Sequence, residues 1–459
     1  MIIKHIKLLI LKPLFLCLVL LQAVSCWDGL NDMLEEGGSP SAIMFTESTL
    51  TSGGMIINWA DPASVTGYDH IIVTYTPGSS VTLNKGATNF DVSGLNSSTE
   101  YTVTVQAIGK ENIIKAQSSF KVTPSGAYTL RFIYTAADLD SVRSSLGYYY
   151  VVMNDIDLSG YANWTPIGTA NPQPTVPFAG VFDCQNYIIR NININTGSIN
   201  NLGLFGNSSG LIKNCHVEGT IIGTSNNASI AGFTGVNNGI IRNCSSSVSV
   251  TGSGDYCYLG GIAGMNNGTI TECSSSGKIE GTSAGHTTQS HLGGLVGINM
   301  LSSAAISRCY ASGVVTGSLD NCRYGGLIGS NSGPITDSYA NVKVIVSATN
   351  TMSGGLVGVN SSVVSIKITN CYATGSVSSS GGKGGLVGST VNDTIVFSYY
   401  DSQTTGQSDD TGKGYPRTTN QMKLIDTSVT TYDGWDFTTV WGISSGISGG
   451  YPYLRAVAP

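Results

Sequence analysis

A Gly-rich unit recurs along this chain at nearly constant spacing: GLFG (203–206), GFTG (232–235), GIAG (261–264), GLVG (294–297), GLIG (326–329), GLVG (355–358) and GLVG (385–388). The last glycines of successive units are 29, 29, 33, 32, 29 and 30 residues apart. A fixed period of about 30 residues means one supersecondary unit stacked on copies of itself, each burying its apolar face against the next.

Aligned columns show what each unit is made of. After each glycine unit comes a position holding Cys215, Cys244, Cys273, Cys309, Ser338, Cys371 and Ser398 in turn. Three residues earlier stands Ile212, Ile241, Ile270, Ile306, Ile335, Ile368 or Ile395, and six residues after the cysteines stand Ile221, Val250, Ile279, Val315 and Val377. An earlier copy at Ile189-Arg190-Asn191-Ile192 brings the expected total to about eight coils. Alternate residues of a strand share a face. The Ile and Cys columns are an odd number apart, so burying both requires a turn between them. Asn214, Asn243 and Asn370 directly precede their cysteines, and Asn tolerates the left-handed conformation of such a corner. Short strands, small and β-branched residues and no helix signal predict a parallel β-helix over 177–410.

GGLVGVN and ITNCYATGSV, within 354–377, resemble the GLUG motif of bacterial surface and secreted proteins. The flanks, YTAADLDSVRSSLGYYYVVMNDIDLSGYANWTPIG (134–168) and GWDFTTVWGI with GYPYL (434–454), resemble that family's ends. The resemblance implies architecture more than activity.

Ahead of the repeats, 40–124 alternates like a β-sandwich. MIINW (55–59) reads as a strand carrying a buried Trp59, and YDHIIVTYTP (68–77) and TEYTVTVQAIG (99–109) read as further strands. Leu95 followed by Tyr101 looks like a tyrosine corner, and VSGLNSSTEYTVTVQA (92–107) resembles a fibronectin type III domain, a module that commonly acts as a spacer. Residues 125–176 should form an entry segment. Within it, Thr135 as N-cap and Asp138 as its capping-box partner predict a helix over Thr135–Ser145 that covers the open mouth of the β-helix. Residues 411–459, with Trp435, Phe437, Trp441, Tyr451 and Tyr453, should cap the other end.

The first 25 residues read as a signal peptide: Lys4, Lys7 and Lys12 precede an apolar run from Leu14 to Leu21. Ala23-Val24-Ser25-Cys26 resembles a lipoprotein cleavage box, which makes Cys26 the expected lipidation residue and 26–39 a polar tether. The expected location is the cell envelope, at the outer membrane. Five of the eight later cysteines fall in one column and read as a buried ladder of thiols. Cys257 and Cys322 lie two coils apart, ~9.6 Å at the strand spacing, too far to bridge.

Composition narrows function. Charged residues make up only 11% of the chain, its net charge is −6 and no basic stripe exists, which argues against nucleic acid. No metal-ligand spacing, cofactor motif, Ser-His-Asp spacing or P-loop appears. Asp155 and Asp157 are the most obvious acid pair, with turn-forming as the competing role. The residue after each Cys-column position runs His216, Ser245, Ser274, Tyr310, Tyr339, Tyr372, Tyr399. Opposite in parity to the buried column, the four tyrosines should face outward as a strip for a ligand, or stack on one another simply to stabilise the strands. The residue before the column changes to Glu272, Arg308 and Asp337, an expected charge ladder. The two longer corners, 298–308 and 359–370, fall at one place in the coil. The chain therefore reads as all-β: a fibronectin type III-like β-sandwich followed by a capped parallel β-helix. The expected role is a non-catalytic, lipid-anchored surface protein that binds glycans or host or neighbour-cell proteins. A polysaccharide-acting enzyme, or a structural module of a larger surface assembly, is the alternative.

Overall fold

The computed structural model describes residues 40–169, 176–282, 289–361, 367–391, 394–409, 411, 413–424 and 430–457. The signal peptide, the tether and Cys26 lie outside the described residues. Two compact units emerge.

Among the described residues, the smaller unit comprises 40–44, Trp59–Thr88 and Thr102–Ser119. Its sheet runs in the order Ser80–Asn84, Tyr68–Thr76, Tyr101–Gly109, Ile114–Val122. Ile71 and Val73 alternate inward on one strand, as do Val103, Val105 and Ala107 on the next, and all are buried. Trp59 is buried as expected, and its indole N–H donates to the Ala87 carbonyl at 2.9 Å.

The larger unit contains Phe45–Asn58, Asn89–Tyr101 and the described residues from Phe120 onward. The tyrosine corner forms: the Tyr101 hydroxyl accepts from the Asn96 N–H at 3.0 Å. Phe45–Thr51 pairs antiparallel with Tyr128–Ile133, which pairs in parallel with Tyr149–Val152. One 13-stranded sheet therefore runs without a break from the N-terminal strands into the coils. The expected helix is shorter, Ala136–Ser141 followed by a 3-10 turn at Val142–Ser144, with its capping box intact. Leu139 and Val142 are buried in the same core as Trp164 and Ile189.

The repeats form a parallel β-solenoid of about eight turns. Each coil carries four short strands, shown by Asn201–Leu202, Phe205–Ser208, Leu211–Lys213 and His216–Gly223. The first and second strands build two seven-stranded parallel sheets, and the third and fourth join the two larger ones. The isoleucines superpose one on the next, from Ile212 through Ile241, Ile270, Ile306, Ile335 and Ile368 to Ile395. The corner before the Cys column is left-handed in every coil from Asn214 to Phe397, with φ between 45° and 56°. Glu272 and Arg308 adopt it although their side chains have no local preference for it. The stacked neighbours therefore impose the turn.

The first coil departs from the expected alignment. Phe182, not Ile189, pairs with Ile212, and Ile189 pairs with Val217. The corner there holds two additional residues, and Cys184 is disulfide-bonded to Cys215. The column is thus a thiol ladder only beyond its first rung. Its next members are buried, and Cys273 N–H donates to Cys309 Sγ at 3.4 Å.

A second column was not anticipated. Asn237, Asn266, Asn299, Asn331 and Asn360 lie at or next to the end of the second strand of their coils and are fully buried. The side-chain amides of the first four each donate to the next carbonyl oxygen at 2.6–2.8 Å. The same amides donate to corner carbonyls such as Gly239 and Gly333, so the ladder staples the turn as well as the stack.

Deleting 236–264 removes one full period and rejoins Gly235 to Met265, the residue that pairs with Val236. That variant should fold and melt cooperatively. Deleting 236–249 should abolish folding, because the Ile, Cys and Asn columns lose register. Comparable melting of the two by circular dichroism would contradict this register.

Candidate functional site

The residues that follow the Cys column stack in register: His216, Ser245, Ser274, Tyr310, Tyr339, Tyr372, Tyr399. The tyrosines point out of the coil, as parity required, and their rings stack at 4.9 Å between Tyr310 and Tyr339 and 4.8 Å between Tyr339 and Tyr372. The expected solvent-facing strip is nevertheless corrected. Tyr339, Tyr372 and Tyr399 are buried, and Tyr310 is partly so. The C-terminal aromatics, expected at the end of the β-helix, lie on its flank. Trp441 sits 6.0 Å from Tyr372 and 6.1 Å from Tyr339, and Trp435 sits 6.2 Å from Tyr399. The Tyr372 hydroxyl donates to the Pro452 carbonyl at 2.5 Å, and the Trp441 indole N–H reaches Asp337 at 3.3 Å. A row of aromatic rings is apolar surface that gains from leaving water, and the chain's own tryptophans supply the cover.

The same row stays open where the tyrosines give way to small residues. Asn214, His216, Asn243, Ser245, Glu272 and Ser274 line a cavity of about 280 Å³, with Ala456 and Val457 of the C-terminal segment at its border. Here amides, a carboxylate, hydroxyls and an imidazole converge. Asn243 donates to Asn214 at 2.8 Å, and Asn214 donates to Asp183 at 2.9 Å, an amide ladder along one wall. His216 bridges two coils: Nδ1 lies 2.7 Å from Ser245 Oγ and Nε2 lies 3.0 Å from Glu218 Oε1. A carboxylate only accepts, so Nε2 carries a proton, and in the neutral ring Nδ1 then accepts from the Ser245 hydroxyl. This Ser-His-Glu relay was invisible to motif reading, because Ser245 and His216 are 29 residues apart and meet only through stacking. The signal that finds it is the repeat period itself.

The other candidates resolve as structure. Asp155 pairs with Arg190 at 2.6 Å and accepts from the Ile188 N–H. Asp157 accepts from Asn191 and from the Ser159 N–H, and these bonds hold its carboxyl below the usual range. Both acids therefore do turn and stacking work. Arg308 pairs with Glu272 at 2.9 Å, half of the expected charge ladder, while Asp337 takes Asn370 and Trp441 instead. Ser290 stands between Cys257 and Cys322, bonded to both. His291 lies buried against Arg323 at 2.5 Å, and burial pushes its pKa down to about 3, with the Arg323 charge adding to the shift. Asp401 caps Ser402–Thr405 and is held by Thr419 and Tyr451. Among the described residues no group of three or more His, Cys, Asp or Glu could hold a metal ion.

Comparison with known proteins identifies the N-terminal module. Residues 38–124 match the fibronectin type III domain family, so the chain is a fibronectin type III domain followed by a parallel β-solenoid. A curated Evansella cellulosilytica protein, named as a Gly-rich membrane protein, is 45% identical over 84 residues. That match spans 17% of this chain and 9% of the relative. Among solved structures, a Bacteroides ovatus protein carrying the name of an immunoglobulin A1 protease is 21% identical, with TM-score 0.49, over 72% of this chain and 93% of its own. A pectate lyase from Erwinia chrysanthemi is 13% identical, with TM-score 0.19, over 72% and 86%. An exopolygalacturonase from Yersinia enterocolitica is 9% identical, with TM-score 0.17, over 79% and 98%. Identities and scores this low place no function on the present chain.

The covered tyrosine row has a pH signature. Burial holds the phenols of Tyr339, Tyr372 and Tyr432 above their ordinary 10.0, and burial followed by the Asp401 hydrogen bond raises Tyr451 to about 12. Raised acid pKa values give stability that is complete below the unfolded value of about 10 and lost as pH climbs above it. The melting temperature should therefore be insensitive to these groups up to pH 10 and fall above it, together with a late rise in tyrosinate absorbance. Full titration of these phenols near pH 10 with unchanged stability would contradict the cover.

Proposed function

We propose that this protein is an exported surface scaffold, anchored through Cys26, whose β-helix binds glycan in the groove beside His216 and Ser245. The groove is the observation that carries the reading. It is the stretch of the outward row that the C-terminal aromatics leave uncovered, and Asn, His, Ser and Glu side chains make up most of its lining, with Ala456 and Val457 at one border. Sugars are recognised by such convergent amide, hydroxyl and carboxylate groups. The Lys-flanked apolar N-terminus, the box ending at Cys26 and the GLUG-like repeats support export and surface display. The fibronectin type III domain would act as spacer, and the low charge with abundant Gly, Ser, Thr and Asn suits an extended extracellular coil. A lyase or glycosidase reading finds no support in the acid pair, since Asp155 and Asp157 are both engaged.

Filling the groove tests the binding reading. Tyrosine occupies this row in later coils, so Ser245→Tyr should fold while placing a ring between His216 and Ser274 that fills the cavity. Its affinity for glycans retained by the wild-type chain on a glycan array should fall more than tenfold, with an unchanged melting temperature. Unaltered affinity would remove the groove from consideration.

Anchoring is tested separately. Cys26→Ala should move the protein from the membrane fraction to the soluble fraction and abolish metabolic labelling with a fatty-acid analogue. Labelling that persists in the variant would exclude Cys26 as the lipidated residue.

A further inference from the structure

We propose that Ser245 is a nucleophile, activated by His216 and positioned to cleave a short O-acyl ester carried by a sugar. The choice of a sugar ester rests on the glycan reading above; the nucleophile itself does not. Nucleophilic serines are recognised by a base within hydrogen-bond reach and a third group that orients the base. Here Ser245 Oγ lies 2.7 Å from His216 Nδ1, and Glu218 Oε1 lies 3.0 Å from Nε2. The imidazole is a quarter exposed and Ser245 is partly exposed on the cavity wall, so substrate can reach both.

The fold fixes the geometry. His216 pairs directly with Ser245 across adjacent coils, while Glu218 stands two residues along the same strand as His216 and hence on the same face. Later coils replace this pair with stacked tyrosines, so the stack itself does not require a His above a Ser. Ser247 Oγ, 3.4 Å from Nε2, adds a second contact on the Glu218 side of the ring.

The chemistry balances with these groups and water. The Ser245 proton passes to His216 Nδ1 as Oγ bonds to the ester carbonyl carbon. The tetrahedral adduct collapses, the carbon–oxygen bond to the sugar breaks, and the sugar oxygen takes the proton from Nδ1. Water then attacks the acyl-serine, gives a proton to Nδ1 and releases the carboxylic acid as Oγ recovers its proton. Asn243 lines the same cavity and has a second amide hydrogen beyond the one given to Asn214, which makes it the donor at hand for the oxyanion. An alkoxide needs less protonation to leave than an amine, which favours an ester over an amide. A cavity of about 280 Å³ accepts a short acyl group.

A fluorophosphonate probe on the full chain, followed by peptide mass spectrometry, tests the nucleophile without any glycan. Ser245 should be labelled at least tenfold faster than Ser247 or Ser274. Ser245→Ala should lose the label. His216→Ser, a residue this row already accepts, should slow it at least tenfold with an unchanged melting temperature. Glu218→Gln should slow labelling, and Glu218→Asp should restore part of it, which marks Glu218 as a positioning residue. Labelling of Ser245 no faster than of Ser247, or undiminished in folded His216→Ser, would overturn the proposal. Glycan binding without labelling removes the nucleophile alone; labelling without glycan binding removes the sugar alone.

Discussion

Every residue in a coil of this protein must tolerate a near-copy of itself one strand spacing away, ~4.8 Å along the stack. Almost everything else follows from that constraint. Apolar columns gain from it, because Ile upon Ile excludes water continuously from Ile212 to Ile395. Amides gain as well, because a donor and an acceptor on one side chain can chain indefinitely, as the buried ladder from Asn237 to Asn360 does. Charges of one sign would not, which fits the small charged fraction and the opposite-charge pair formed by Glu272 and Arg308.

The constraint also explains the corners. A left-handed residue costs free energy for any side chain other than Gly, Asn or Asp. Yet Glu272 and Arg308 accept it, because the coils on either side fix where the chain must turn. Local preference sets the corner in the Asn coils and the stack carries it through the others. The Cys184–Cys215 disulfide sits where the first coil's corner is longer and the register is least regular.

The outward row shows how one position serves different ends. Where it holds tyrosine, stacked rings create an apolar flank, and the C-terminal tryptophans cover it. Where it holds Ser and His, the flank stays polar and open, and side chains from adjacent coils meet as a relay. The difference lies in the residues of a single column, while the backbone beneath it repeats.

The sequence by itself determined the period, the parallel β-helix, the buried Ile and Cys columns, the outward parity of the tyrosines, the capping box at Thr135 and the tyrosine corner at Tyr101. All are set by alternation along a strand or by hydrogen bonds a few residues long, which sequence spacing records directly. The Asn ladder was equally legible in the recurring G-x-N at the end of the second strand, but glycine drew the alignment instead. Only the tertiary structure decided the rest. The cover over Tyr339 and Tyr372 comes from residues about 60 to 100 positions away, and aromatic burial carries no address in sequence. The unbroken sheet from Phe45–Thr51 into the coils depends on long-range strand pairing. The meeting of His216 with Ser245 depends on the register between coils, where a one-residue slip would turn each side chain to the opposite face.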